Sequence, residues 1–552
     1  MGGLMAFMQD QPVLVFFLVV SLGYLVGRIE IAGISLGPAG GVLLVGLFFG
    51  HHGFTMYPAF QTMGFAVFIF CVGYQAGPQF FDVLMTSGLK YLTLALLVAA
   101  TGFGLAVSLA AVLDFEPGLS AGLLGGALTT TPTLAAAQDA VQSGLVTTPE
   151  GYTSEQVLTN IGAGYALTYL FGLIGLILVI RLLPRLLGID LPAEAAKLES
   201  AGGASTGPSL AEITRRVYRV TREEQLGRTI GEMERAALGR VSFVGIQRDG
   251  EIIPVDYDTR LELGDEVLVV GTVDHMLEHA AAFGEEIRHE EGLGVSMSTV
   301  KVVVSNAEVI GKPVGDIRLT EPIGALPLEV RRQRTVLPLG EELVLHRGDV
   351  VTFYGPEVAF DRLVRQVGHV EREVDDTDLF TFGLGIAVGI GLGTFAISIG
   401  GVTIGLGMAG GLLITGLVIG FLRSIWPVFG RVPSASRWVL SELGLMMFMA
   451  GVGLNAGGGI VEIIQSAGIK LIGAGVIVTL IPVFVGYAFS RKVLKLNPAE
   501  ALGGVTGSMT SGAALSVVCD AAKSNVPALG YTGAYAFANV ILTLAGTLIM
   551  LT

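Results

Sequence analysis

Two apolar stretches of the 552-residue chain each carry a knot of hydroxyl groups where a membrane helix would otherwise be uniform. Thr129, Thr130, Thr131, Pro132 and Thr133 fall in the middle of Leu119 to Val141, and Ser508, Thr510, Ser511 and Gly512 in the middle of Leu502 to Ala522. A carboxylate leaving water needs hydrogen-bond donors. Hydroxyls, together with the open N–H groups and positive dipole end of a helix that starts at the break, supply them. Asp139 and Asp520 occupy equivalent places at the far end of each stretch. A charge inside a membrane segment is costly and has a partner or a task. The two acids read either as anchors for an ammonium, a cation or a proton, or as helix caps near the membrane surface. Gln75 and Asn455 are equivalent amides, placed to bind a second carboxylate or an amine, or to join helix to helix. Lys90 and Lys470 start their segments and snorkel to the surface, and Tyr165 and Tyr535 read as packing residues. No intramembrane Arg offers a carboxylate clamp, so neutral amino acids and monocarboxylates stay open beside aspartate.

The elements that must position these residues are membrane helices. The chain is 52% hydrophobic with 79 glycines and only 14% charged residues. Of its 80 charged side chains, 24 fall in residues 1–187 and 379–552 together and 56 in the stretch between. A net charge of -14 excludes a nucleic-acid partner, which needs clustered Lys and Arg. Cys71 and Cys519, both in apolar runs, exclude a disulfide framework. Pro12 to Arg28 reads as a retained membrane helix rather than a cleaved signal. Six apolar segments precede the charged block (12–28, 34–50, 62–77, 90–113, 118–140, 160–184) and six follow it (379–398, 403–421, 440–456, 468–490, 499–522, 529–551).

The two sets are copies. Gly40, Gly41, Gly46 and Gly50 recur as Gly410, Gly411, Gly416 and Gly420; Gly73-Tyr74-Gln75-Ala76-Gly77 recurs as Gly453-Leu454-Asn455-Ala456-Gly457. Gly126, Thr129 and Asp139 recur as Gly507, Thr510 and Asp520, and Tyr165-Ala166 matches Tyr535-Ala536. Equivalent loops carry opposite charge: Asp114 and Glu116 against Arg491, Lys492 and Lys495, and His51-His52 against Arg423, Arg431 and Arg437. Because Lys and Arg gather on the cytoplasmic side, the copies are expected to be inverted. Inversion requires an odd number of crossings, so one segment per copy enters and leaves on the same side. The polar breaks nominate the fifth: residues 118–142 and 499–524 are expected to be re-entrant hairpins, with a broken crossing helix as the alternative.

Between the copies, residues 188–208 read as a flexible linker ending in Gly- and Ser-rich sequence. A smaller duplication follows. Gly227, Arg228, Gly231, Pro254, Gly264-Asp265 and Gly271 match Gly311, Lys312, Gly315, Pro338, Gly348-Asp349 and Gly355 at a constant offset. The pattern resembles the ligand-sensing TrkA-C half of RCK domains, twice in tandem, at 209–288 and 289–370. No Gly-x-Gly-x-x-Gly loop accompanies it, so NAD is not expected and no cofactor or metal is assigned. Each Gly-Asp reads as a turn in which Asp caps the backbone.

The whole arrangement is two five-crossing inverted halves (1–187 and 371–552) around TrkA-C modules. With Gly73 to Phe81 and the Thr- and Ser-rich fifth segments, it resembles the aspartate:alanine exchanger family, whose relatives include dicarboxylate exporters. The resemblance implies a polytopic helical antiporter of a bacterial-type inner membrane. It would exchange small carboxylates or amino acids without ATP, the hairpin-bearing part moving against the rest in an elevator-like way. No enzyme activity is expected. The middle block is expected in the cytoplasm with both termini outside, the TrkA-C pair binding a small regulatory ligand, and the protein a homodimer. A channel or cation antiporter gated by the modules is the competing class, although no carbonyl-lined filter sequence is present. A sensor merely anchored in the membrane would not require duplicated polar breaks.

Overall fold

The computed structural model describes the chain except residues 1, 32–33, 87–88, 202–212, 222–225, 228, 237–240, 254, 256–257, 273–275, 277–284, 288–292, 294, 316–324, 333–334, 341, 372–376, 400–401 and 427–428. The Gly/Ser-rich end of the linker, Arg228 and Pro254 therefore lie outside the described residues. The chain divides into two compact units, one of residues 1–192 with 374–523 and 527–552, the other of residues 193–373 with 524–526.

The first unit runs α1 (Gly2–Gln9), α2 (Pro12–Gly27), the short ribbon β1 (Glu30–Ile31) and β2 (Ile34–Ser35), then α3 (Gly37–His51), α4 (Pro58–Thr86), α5 (Leu89–Leu113), α6 (Leu119–Ala127), α7 (Thr131–Gln142) and α8 (Ser154–Leu186). Among the described residues, seven helices of the chain are long and apolar enough to cross a membrane, α4, α5 and α8 among them. α9 (Leu191–Ala201) then occupies most of the stretch expected to be a flexible linker. Its Ala-Glu-Ala-Ala-Lys sequence is a strong helix former, supported by the 2.5 Å Lys197–Glu194 pair.

The second unit contains β3 (Ile213–Arg219), α10 (Ile230–Ala236), β4 (Val241–Arg248), β5 (Glu251–Ile253), β6 (Glu266–Thr272) and β7 (Glu285–Ile287). The five strands repeat as β8 (Met297–Val304), β9 (Leu326–Arg332), β10 (Thr335–Leu337), β11 (Val350–Pro356) and β12 (Gly368–Val370), with α11 (Glu357–Val367) before the last of them. Two antiparallel sheets result, ordered β5-β4-β6-β3-β7 and β10-β9-β11-β8-β12, so equivalent strands hold equivalent places. One face of the first sheet buries Val217, Val244, Leu268 and Val270 together with Leu326 and Tyr354 of the second module, which gives the tandem pair a shared core. In each module the Gly-Asp turn is tied to the sheet. Asp265 accepts from the Glu262 N–H (2.7 Å) and takes Arg248 Nε and Nη2 at 2.8 Å each. Asp349 accepts from the His346 N–H (2.9 Å) and takes Arg332 Nε and Nη2 at 2.8 and 2.7 Å.

The first unit resumes with α12 (Leu379–Gly393), β13 (Ala396–Ile399), β14 (Val402–Gly405), α13 (Gly407–Ile425), α14 (Ser434–Gly457), α15 (Ile460–Lys492), α16 (Pro498–Ser508), α17 (Gly512–Ala522) and α18 (Val526–Ile549). α13, α14, α15 and α18 are the other four long apolar helices. The repeated glycines are helix crossings between the two halves. A Cβ on Gly50 of α3 would lie 2.2 Å from the Leu454 carbonyl of α14. One on Gly420 of α13 would lie 2.2 Å from the Tyr74 carbonyl of α4. Small residues let the backbones meet, the usual basis of helix association in lipid.

Candidate functional site

Each hydroxyl cluster sits where one short helix stops and another starts. α6 and α7 have 9 and 12 residues, and α16 and α17 have 11 each. At 1.5 Å per residue these reach roughly 14 to 18 Å, too short to cross a hydrocarbon core of about 30 Å. Glycines seat the first arm of each pair. A Cβ on Gly126 would meet the Tyr165 carbonyl of α8 at 2.5 Å, and one on Gly507 the Tyr531 carbonyl of α18 at 2.5 Å. At the tips, Thr129 and Thr510 take φ of +53° and +55°, a left-handed conformation that is an outlier for β-branched residues. The two tips touch. Thr129 Oγ1 donates to the Met509 carbonyl at 3.0 Å, and Thr510 Oγ1 to the Thr129 carbonyl at 3.4 Å.

The remaining cluster residues are divided unevenly. On the first tip, Thr133 Oγ1 donates to the Leu542 carbonyl of α18 (2.8 Å) and pairs with Thr130 Oγ1 (3.2 Å), and Thr131 Oγ1 pairs with Tyr165 Oη (3.2 Å). Pro132 occupies the first turn of α7, where no N–H is required, and is buried. On the second tip, Ser508 bonds back to Gly504 in its own helix (2.8 Å). Ser511 caps α17 by accepting from the Ala514 N–H (3.3 Å). Gly512 and Ala513, the first residues of α17, are exposed.

The acids are not equivalent in their surroundings. Asp139 is 3% exposed, and its Oδ2 accepts from the Ala409 N–H at 2.9 Å. It therefore caps α13, a helix of the other half. Asp520 is exposed. Gln75 is half-buried on α4. Asn455 donates to Gln61 Oε1 (2.9 Å), whose Nε2 donates to Gln138 Oε1 (3.0 Å), so its amide leads to the return helix α7 rather than to a tip. Lys470 Nζ donates to the Leu113 carbonyl (3.1 Å) at an exposed position, in keeping with a surface role.

Sequence reading paired Tyr165 with Tyr535, one helical turn off. The glycine contacts pair Tyr165 with Tyr531 and Tyr169 with Tyr535, and each half stacks its two rings, with centroids 5.4 and 5.2 Å apart. The Tyr-Ala dipeptide misled because Ala is cheap to match, whereas the Tyr-x-x-x-Tyr spacing in both copies carries the correct register. Gln61 and Gln138 were also passed over. Gln138, polar and adjacent to Asp139 in an apolar segment, was the available signal.

A helical unit with two broken-helix tips in contact, interrupted by a pair of α/β modules, is a membrane transporter of the permease class with an inserted regulatory block. The chain belongs to the aspartate:alanine exchanger family: the family model described as Predicted Permease Membrane Region (Asp-Al_Ex) matches residues 15–185 and again 381–551. The TrkA-C domain model matches residues 218–284 and 300–368. No solved structure matches the chain.

Proposed function

We propose that the protein is a secondary active antiporter that exchanges small carboxylates or amino acids, such as aspartate and alanine, at the meeting point of its two tips. The observation that carries this reading is the reciprocal contact of Thr129 and Thr510 between two short-helix pairs. Such breaks are tolerable in lipid only around a protein-lined or wet cavity, and helix starts aimed at one point favour an anion. The two pairs are re-entrant hairpins of inverted halves. In support, the base of the first lies with the start of α13 (Asp139 to Ala409), while the base of the second lies with the start of α5 (Glu500 Oε1 accepting from Tyr91 Oη, 2.5 Å). The Arg and Lys distribution supports a cytoplasmic inserted block with both termini outside, and the family resemblance supports a bacterial-type inner membrane. Counterflow in liposomes tests the assignment: internal unlabelled aspartate or alanine accelerates uptake of the labelled amino acid. A channel or a sensor gives no acceleration.

The movement is elevator-like, and a break in the internal symmetry supports it. Gly407 at the start of α13 has Asp139 Oδ2 2.7 Å from its Cβ position, whereas the equivalent Gly37 at the start of α3 has nothing within 4 Å, and Asp520 is exposed. In the opposite state Asp520 docks on α3 and Asp139 leaves α13. Joining Asp139→Cys to Ala409→Cys by oxidation should stop exchange until reductant is added; exchange that continues through the cross-link counts against the movement. The TrkA-C pair binds a small cytosolic ligand and biases the two states, and the protein works as a homodimer. Replacing residues 209–370 by a linker of matched span should abolish ligand control, and sedimentation of the detergent-solubilised protein tests the dimer.

A further inference from the structure

Aligning the two tips residue by residue exposes a difference at the start of their return helices. Thr131 of α7 corresponds to Gly512 of α17, Pro132 to Ala513, and Tyr165 to Tyr531. In the first half the cradle is filled. Thr131 places its hydroxyl 3.2 Å from Tyr165 Oη, Pro132 has no N–H to offer, and Thr131, Pro132 and Tyr165 are all buried. In the second half each plug is removed. Gly512 carries no side chain, Ala513 restores the missing N–H, and both are exposed.

Tyr531 stays 7% exposed, yet among the described residues its hydroxyl has no hydrogen-bond partner. That hydroxyl lies 3.7 Å from where a Cβ on Gly512 would sit. The ring is buried, but the hydroxyl oxygen is not among the sealed, unpartnered polar atoms of the described residues, so it reaches open space and can take a hydrogen-bond partner from there. The opening beside Gly512 is the place from which such a partner would come.

We propose that Tyr531 Oη and the first-turn N–H groups of Gly512 and Ala513 form the carboxylate-binding subsite of the transporter, and that the first tip is its permanently plugged counterpart. The ligand class is a small organic carboxylate. One carboxylate oxygen takes the position that Thr131 Oγ1 holds against Tyr165, and the other faces the start of α17, an 11-residue helix whose first N–H groups have no partner within the helix. The inference rests on the exchanger reading and adds to it that the two tips are unequal, with binding at one of them.

Binding to the full-length protein in nanodiscs tests this, with L-aspartate, L-alanine and succinate as probes and alaninamide and succinamide as controls that lack the carboxylate. The unsubstituted protein should bind at least one carboxylate and neither amide. Tyr531→Phe keeps the ring and removes the hydroxyl, and should raise Kd about tenfold or more, the usual effect of losing a hydrogen bond to a charged group. Gly512→Thr, which rebuilds the plug at a position with ordinary space for a Cβ, should abolish binding. A carboxylate that binds both variants with unchanged Kd overturns the subsite and leaves exchange standing. Failure of every carboxylate to bind the unsubstituted protein removes the exchanger reading and the subsite with it. Should Gly512→Thr fail to fold, Tyr531→Phe decides alone.

Discussion

Asp139 and Ala409, 270 positions apart in the chain, are joined by a 2.9 Å hydrogen bond from the Ala409 N–H to the Asp139 carboxylate. The bond ties the far end of α7 to the positive end of a helix from the other half, where a carboxylate is favoured by both the open N–H groups and the dipole. Asp139→Asn keeps the shape and removes the charge. It should shift the balance away from the present state about tenfold, as expected for losing a charge-assisted bond. Cys519 reports the shift: it is half-buried here, while its counterpart Gln138 is 3% exposed. Maleimide labelling of Cys519 should therefore slow in Asp139→Asn and not in Asp520→Asn; equal rates in the two variants contradict the exchange of docking partners.

The glycine crossings should tolerate nothing larger. Gly420→Ala brings a Cβ to 2.2 Å from the Tyr74 carbonyl, so α13 and α4 must separate. Overpacking of this kind costs about 1–3 kcal/mol. Gly391→Ala meets nothing within 4 Å and is the control. Thermal unfolding in detergent should show a clear loss of Tm in the first variant and little change in the second.

The two Arg–Asp pairs of the inserted block should differ in worth although their geometry is alike. The Arg332 and Asp349 side chains are 6% and 0% exposed, while Arg248 is 26% exposed beside a 1% exposed Asp265. Asp349→Asn leaves a buried guanidinium without its counter-charge and should cost about 3–5 kcal/mol. Asp265→Asn should cost less, because water and Glu262 still reach Arg248. Hydrogen exchange of β9 and β11 against β4 and β6 in the full chain reads the two effects separately.

Asp378 makes one end of α12 sensitive to acid. The Thr381 hydroxyl (2.5 Å) and amide (2.9 Å) hold its carboxyl below the ordinary carboxylate range, with the Gly430 N–H adding to them at 3.1 Å. A carboxyl depressed on folding contributes stability above its unfolded pKa of about 3.9, and loses it as pH falls through the folded value. Asp378→Ala should therefore lower stability by about 1 kcal/mol at pH 7, as for a lost helix cap. The Tm difference from the unsubstituted protein should narrow once the pH drops below about 4.

Much of the membrane unit is legible in the linear chain because lipid imposes a simple rule: apolar runs long enough to cross, with polar breaks standing out against them. Thr129 and Thr510 were identifiable as tips for that reason. What escaped was anything dependent on side-chain direction. Tyr531 looks like one more aromatic residue in an apolar helix, and the value of Gly512 shows only when it is laid over Thr131. The ribbons β1–β2 and β13–β14 escaped too, since strands of two and four residues next to glycine leave no periodic pattern.

Composition, repeat offsets and loop charge thus determined the class, the duplication and the identity of the broken segments, since each is a property of residues along the chain. Tertiary structure alone decided that Asp139 caps a helix of the opposite half, that Asn455 is drawn to Gln61, and that one tip is filled while the other is open. Equivalent sequences can occupy different environments when the halves of a duplicated chain adopt one asymmetric packing, and no count of residues records which half takes which.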